Sequence, residues 1–308
     1  MSFAIVFPGQ GSQSIGMLTA LAEEYSIVNE TFAEASAVLG YDLWDVVQTG
    51  PEEKLNSTDV TQPAMLAAGI ACWRVWQAQG GATPVVMAGH SLGEYTALTA
   101  AGSLNFSDAV ALVQKRGQLM QAAVPAGQGA MAAILGLADD VVRDVCLKAA
   151  EADVVEAVNF NSPGQVVVAG SKAAVERALV LAKEAGAKRA LLLPVSVPSH
   201  CALMQAAAEQ LDETLGEIRI QTPTIAVINN VDVATESSPE SIRDALVRQL
   251  YQPVRWVESV QKMSAMGVTN LLECGPGKVL VGLNKRIDKQ MAALAVYDPA
   301  SLSAALSA

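Results

Sequence analysis

An α/β protein is predicted, with a parallel-sheet domain interrupted by a smaller inserted unit, and three observations point there. Short apolar runs that end in glycine-bearing loops alternate with amphipathic helical patterns. One such run, residues 84–89, passes through the glycine-flanked serine of Gly89-His90-Ser91-Leu92-Gly93 directly into a helical pattern. After residue 125 the alternation changes to a self-contained series of strands and helices. At 308 residues the chain also exceeds the size at which a single core usually stops growing.

Residues 3–7 read as a buried strand running into Pro8-Gly9-Gln10-Gly11-Ser12-Gln13. That loop is not a phosphate grip. Gly11 and Gly16 have the G-x-x-x-x-G spacing, but Met17-Leu18 stands where Lys and Ser or Thr are required, and Ser14 takes the third glycine position of a dinucleotide fingerprint. A strand-end loop lining a pocket is the expectation. Helices are expected over residues 26–39 and 59–78, the second opened by Thr58-Asp59. After the serine turn, Ser107-Asp108 is expected to cap a helix that carries Val110, Leu112, Val113, Arg116, Leu119 and Met120.

Residues 130–137, 139–151, 154–160, 166–169, 171–185 and 189–193 read as strand, helix, strand, strand, helix, strand, with Asn161-Ser162-Pro163-Gly164 as a turn. This βαββαβ order is that of a ferredoxin-like unit. Residues 125–197 are therefore assigned to an insert, and residues 1–124 and 198–308 to the large α/β domain. The remainder reads as helices around residues 201–215, a strand over 224–229, helices over 239–250 and 254–264 and a strand over 269–273. Cys274-Gly275-Pro276-Gly277 then turns into a helix through Arg286, and an alanine-rich tail follows Ala300.

Hydrophobic residues make up 51% of the chain but aromatic ones only 5%, so the core is built from Ala, Val and Leu. With 20 Lys and Arg against 31 Asp and Glu the net charge is -11, which argues against nucleic acid or an anionic membrane as the partner. Cys72, Cys146, Cys201 and Cys274 are dispersed without a C-x-x-C pair, and there are two histidines, so neither a disulfide framework nor a metal centre is signalled. The start, Met1-Ser2-Phe3-Ala4-Ile5-Val6-Phe7-Pro8, lacks a basic n-region and a signal-length apolar run. The most apolar helical stretch, residues 64–76, contains Arg74 and is too short to span a bilayer. A cytoplasmic protein is the expectation.

The G-x-S-x-G spacing has a mechanical reason: a strand that reverses sharply into a helix needs small residues two positions either side of the serine, whose Oγ then stays exposed. An isolated serine between glycines is otherwise a turn; the strand before Ser91 and the helix after it favour a nucleophile. A serine needs a neighbouring base at neutral pH, usually histidine. His90 adjoins Ser91, where successive side chains diverge, and is expected to pack beneath the loop. His200, in Val197-Pro198-Ser199-His200 just after the insert, is the expected general base, with acylation falling below pH ~6.5, the ordinary histidine value. No carboxylate presents itself as a third member by spacing. Arg116 lies on an apolar stripe, where it either snorkels from a helix edge or binds a carboxylate in a bidentate pair. Lys285, Arg286 and Lys289 form a basic cluster in an acidic chain, either a solvated face or a contact for an anionic partner.

Five segments together carry a family resemblance: Phe7-Pro8-Gly9-Gln10-Gly11-Ser12-Gln13, Thr61-Gln62-Pro63-Ala64, Gly89-His90-Ser91-Leu92-Gly93-Glu94-Tyr95, Val197-Pro198-Ser199-His200 and Glu273-Cys274-Gly275-Pro276-Gly277-Lys278. In this order, from Phe3 to Arg286, the chain is similar to the malonyl-CoA:acyl carrier protein transacylases, the stand-alone loading enzymes of bacterial type II fatty acid synthesis. The resemblance implies a hydrolase-like large domain with a ferredoxin-like insert. It implies Ser91 as nucleophile, His200 as base, and the backbone N–H groups of Gln10 and Leu92 as oxyanion hole. It further implies Gln249, whose main-chain carbonyl orients the histidine where other serine enzymes use Asp, and Arg116 as partner of the malonyl carboxylate. Gln62 and Asn161 match polar residues near the family's site, and Leu92 is usual in malonyl-selective members. Malonyl-CoA and acyl carrier protein are the implied partners, and no metal or redox cofactor is implied. Similar sequences also occur as domains of multienzymes, but no linker tails are expected here. The rival enzyme class is a serine esterase or thioesterase, which calls for a recognisable Asp or Glu and an H-G-G-G loop that the chain lacks. The rival outside catalysis is an acyl-protein scaffold with a dead site, disfavoured by the presence of both serine and histidine.

Overall fold

A computed structural model describes residues 2–195 and 197–308; Met1 and Ser196, which fall in the ranges assigned to the large domain and the insert, lie outside the described residues. Strand β1 (Phe3–Phe7) is followed by helices α1 (Thr19–Glu24), α2 (Ser26–Leu39), α3 (Leu43–Thr49), α4 (Glu52–Leu55) and α5 (Thr58–Ala78), then by β2 (Val86–Gly89), α6 (Leu92–Ala100) and α7 (Phe106–Ala123). A second series runs β3 (Gly129–Leu135), α8 (Asp139–Ala150), β4 (Val155–Ser162), β5 (Gln165–Ser171), α9 (Lys172–Glu184) and β6 (Arg189–Leu192). A 3-10 turn (Ala202–Met204) then leads into α10 (Gln205–Glu217), β7 (Val227–Ile228), α11 (Pro239–Gln249), α12 (Trp256–Ala265), β8 (Asn270–Cys274), α13 (Val279–Ile287), β9 (Ala292–Val296) and α14 (Pro299–Leu306).

The first sheet has the order β7-β2-β1-β8-β9 and every pairing in it is parallel. Side chains alternate across it. Ile5 and Phe7 of β1 enter the core that α2, α5, α6 and α7 build on one face, whereas Ala4 and Val6 enter a second core with Trp256, Val260 and Met263 of α12 on the other. A strand covered on both faces reads as an unbroken apolar run, which is what Phe3-Ala4-Ile5-Val6-Phe7 is. The second sheet has the order β4-β5-β3-β6 with antiparallel pairing throughout. Helices α8 and α9 cover one of its faces, while its other face packs Met131, Val158, Val167 and Ala169 against Cys201 and Leu203 of the returning chain. A direct backbone tie joins the two sheets' territories: Val254 N donates to Val158 O at 2.8 Å, and Phe160 N to Val254 O at 3.0 Å.

Several expectations shift. The strand over 224–229 shortens to the two residues of β7, because Asn229 pairs with Ala234 in a turn. The helix expected from 254 begins at Trp256, since Val254 is taken up by β4. The cap of α7 is Asn105, whose Oδ1 accepts from Ser107 N at 3.0 Å, rather than Ser107-Asp108. The tail after Ala300 belongs to α14, whose Asp298 and Ser301 close a capping box. Helices α1, α3 and α4 and edge strand β9 had not been expected.

Candidate active site

The site forms at the carboxyl ends of β1 and β2, the central strands from which Pro8-Gly9-Gln10 and Gly89-His90-Ser91 emerge, where ligands of open parallel sheets bind. At the elbow Ser91 is held at φ 53° and ψ -110°, outside the ordinary wells for a side chain with Cβ. The flanking glycines are required by contact: a Cβ on Gly89 would lie 1.8 Å from the carbonyl carbon of Gly93, and one on Gly93 would lie 2.1 Å from Phe7 O.

His200, 2% exposed, places Nε2 2.7 Å from Ser91 Oγ and Nδ1 2.7 Å from the main-chain oxygen of Gln249. A carbonyl oxygen only accepts, so the ring proton sits on Nδ1, and Nε2 is left as an acceptor for the serine proton. Gln249 is the last residue of α11, and its carbonyl belongs to the partially negative end of that helix. The expected missing acid is thus matched in place by a helix terminus. Burial, and next the Arg116 charge, push the His200 pKa down from 6.5 to about 3, so the imidazole is neutral at physiological pH. The acid limb expected near 6.5 therefore moves well down.

Arg116 is 1% exposed, which excludes snorkelling from the edge of α7. Its Nη1 donates to Gln62 Oε1 at 2.9 Å, and its Nη2 to Gln249 Oε1 at 3.1 Å and to Ser91 Oγ at 3.5 Å. Its Nε meets no hydrogen-bond geometry among the described residues, and its guanidinium lies 5.2 Å over the Tyr95 ring. Among the described residues no carboxylate forms an ion pair with it. Glu94 acts on it only at longer range, so the burial of the cation stays costly, several kcal/mol as a rule, and a bound anion would relieve it.

The N–H groups of Gln10 and Leu92 have no acceptor among the described residues and so are free to receive a developing oxyanion; that of Ser91 is bonded to Asn230 Oδ1 at 2.8 Å. His90 faces away, with Nε2 2.7 Å from Asn161 Oδ1 and its ring tilted against Trp256 at 5.6 Å. Asn161 therefore touches the elbow through His90 rather than through Ser91. Lys285 and Arg286 stand in the exposed last turn of α13, outside this cluster, with Arg286 Nη1 donating to Gln165 Oε1 at 2.9 Å. Among the described residues no group of three or more His, Cys, Asp or Glu side chains could hold a metal ion, and no helix is long and apolar enough to cross a membrane.

Two buried residues went unassigned in the sequence. Glu94, in the first turn of α6, and Asn230, after β7, are bonded to one another and to the elbow. A carboxylate three residues past Ser91 in an apolar helix was the available signal for Glu94; for Asn230 the Asn-Asn pair after a strand was a weaker one.

Comparison with known proteins shows the family. The acyl transferase domain model matches residues 4–297. The chain is 61% identical over 305 residues to the malonyl CoA-acyl carrier protein transacylase of Salmonella typhimurium, covering 99% of each, and 45% identical over 304 residues to that of Bacillus subtilis, covering 98% of this chain and 96% of the relative. The crystal structure of an acyl carrier protein S-malonyltransferase from Vibrio cholerae superposes with a TM-score of 0.97 at 64% identity, covering 99% of both chains. A malonyl-transacylase solved in complex with its type II PKS acyl-carrier protein superposes with a TM-score of 0.99 at 59% identity, covering 100% of this chain and 99% of that one. The chain therefore belongs to the acyl transferase domain family, among the malonyl CoA-acyl carrier protein transacylases.

Proposed function

We propose that the protein moves a malonyl group from coenzyme A to the phosphopantetheine thiol of acyl carrier protein through a malonyl-Ser91 ester, in two half-reactions. The observation that carries this is the meeting at Ser91 Oγ of a neutral imidazole acceptor at 2.7 Å and a buried guanidinium that no carboxylate among the described residues meets in an ion pair. In the first half-reaction His200 Nε2 takes the Ser91 proton as Oγ attacks the thioester carbonyl. The oxyanion is received by the N–H groups of Gln10 and Leu92. As the carbon–sulfur bond breaks, the proton passes from His200 to the departing coenzyme A thiolate. The carrier thiol then gives its proton to His200, attacks the ester, and Ser91 recovers the proton.

Arg116, held by Gln62 and Gln249, pairs with the free carboxylate of the malonyl group, and the Gln249 carbonyl steadies the imidazolium that forms. Asn161, bonded to His90, is the proposed support of the elbow from the side away from Ser91 Oγ. The basic turn of Lys285 and Arg286, exposed in a chain of net charge -11, is the proposed contact for an anionic carrier. The strand order β4-β5-β3-β6 with α8 and α9 on one face supports a ferredoxin-like insert over residues 125–197, set in a hydrolase-like domain of residues 1–124 and 198–308. The absence of a membrane-length helix among the described residues and the reducing chemistry suited to four buried free cysteines support a cytoplasmic setting.

Initial rates at several fixed carrier concentrations test the scheme. Parallel double-reciprocal lines are expected for a covalent intermediate. Intersecting lines would show a ternary complex and overturn it.

A further inference from the structure

The geometry points to Glu94 as a positioning residue that holds the Arg116 guanidinium and the Ser91 elbow in register through two single-residue relays, Gln249 and Asn230. It touches neither substrate nor reacting atoms, and the inference rests on the malonyl-transfer reading above.

Glu94 is 2% exposed and a single oxygen does both tasks: Oε2 accepts from Gln249 Nε2 at 2.8 Å and from Asn230 N at 2.9 Å. Gln249 has a second acceptor on the same side, since its Nε2 also donates to Ser91 O at 3.0 Å. With its NH₂ between two acceptors, the amide must turn Oε1 toward Arg116 Nη2, which lies at 3.1 Å. A reversed amide would set NH₂ against a guanidinium and a carbonyl oxygen against Oε2, which already accepts from Asn230 N, two repulsive contacts in a buried place. Glu94 thus fixes which end of Gln249 Arg116 meets.

The second relay reaches the nucleophile. Asn230, fully buried, accepts from Ser91 N through Oδ1 at 2.8 Å and donates through Nδ2 to Gly89 O at 2.7 Å, so it clasps both sides of the strained elbow. Its own N–H is anchored on Glu94. By binding Ser91 N–H, it also leaves Leu92 N–H as the elbow's free donor. The function requires reach, not charge: burial pushes the Glu94 carboxyl up to about 7, and a neutral acid keeps its acceptor oxygen. Glutamine can set one oxygen in the same position, whereas aspartate is one methylene too short to meet both donors.

The test compares Glu94→Gln and Glu94→Asp with wild type for kcat/KM on malonyl-CoA and acetyl-CoA, and for the rate at which a fluorophosphonate labels Ser91. Glu94→Gln is expected within about threefold of wild type in all three. Glu94→Asp is expected to lose about tenfold or more on malonyl-CoA, to lower the malonyl-to-acetyl ratio, and to label more slowly. Gln249→Ala, which removes the link to Arg116 but leaves the main-chain carbonyl to His200, is expected to reproduce the fall in ratio if the aspartate variant does not fold. Equal losses in the Gln and Asp variants, or an unchanged ratio in Gln249→Ala, would overturn the assignment. A wild type that transfers no malonyl would sink the transfer reading alone, because fluorophosphonate labelling still separates Gln from Asp at position 94.

Discussion

Arg116 and His200 both reach Ser91 Oγ, and their charges oppose one another there. The guanidinium disfavours the imidazolium that catalysis must form, so in the proposed reaction a malonyl carboxylate seated on Arg116 does more than anchor the substrate: it screens that opposition. Arg116→Ala is therefore expected to lower malonyl kcat/KM by roughly tenfold to a hundredfold, the ~1.5–3 kcal/mol of a hydrogen bond to a charged group, while acetyl transfer is unchanged or improved. Equal losses on the two substrates would make Arg116 a packing residue. A pH profile reads the same opposition. In the proposed reaction His200 acts while neutral, and a pKa pushed down to about 3 is expected to set the acid limb of wild-type acetyl-CoA kcat/KM far below 6.5. Removing the guanidinium charge lets that pKa rise, so in Arg116→Ala the limb shifts to higher pH. Limbs at one pH in both proteins would contradict the coupling. The meeting of Ser91 with His200 at 2.7 Å was legible in the sequence, because a serine on an elbow calls for a base and the chain has only two histidines. The burial of Arg116 was not, since periodicity cannot show that Gln62 and Gln249 close over it from two other helices.

The elbow is the element on which the geometry depends, and its glycines are contact-limited. Gly93→Ala would drive a methyl group to within 2.1 Å of Phe7 O, a backbone atom with no rotamer to yield, so β1 and α6 must separate. A fall in thermal midpoint together with loss of fluorophosphonate labelling of Ser91 is expected; full labelling at wild-type rate would show that the elbow tolerates the spread. Elements with a local signature were readable from the chain: β1 over residues 3–7 and the βαββαβ series both follow periodicity and turn chemistry. Those shaped by distant partners were not. Val254 looks helical beside Trp256 but is drawn into β4, and β7 is cut to two residues by the Asn229 turn. The final helix had its signature in Asp298-Pro299 and Ser301, masked by the alanine-rich composition that follows.

Across the whole molecule, two interior carboxyls tie stability to pH. Burial pushes Glu94 and Glu273 from 4.5 to about 7 each, so between those values the folded chain keeps protons that the unfolded chain has released. Their contribution is full below about 4.5 and is lost as pH rises toward 7. Glu94→Gln removes one such penalty while keeping the acceptor oxygen, and is expected to be more stable than wild type at pH 8 by about 1–3 kcal/mol, with the margin vanishing toward pH 4.5. A margin independent of pH, in thermal midpoints taken across that range, would contradict the assignment. The joining of the two sheets was only partly visible in the sequence: the place of His200 after residues 125–197 suggested a shared cleft, but the bonds from Val254 to β4 and from His90 to Asn161 arise from tertiary pairing alone. What would unite site, fold and family is the proposed malonyl group resting on Ser91 between two thiols. Intact-mass analysis after mixing with malonyl-CoA measures that directly: one malonyl adduct on wild type, mapped to Ser91, absent from Ser91→Ala, and discharged by carrier protein far faster than by water. A malonyl adduct on Ser91→Ala, or release by water at the same rate as by carrier, would contradict it.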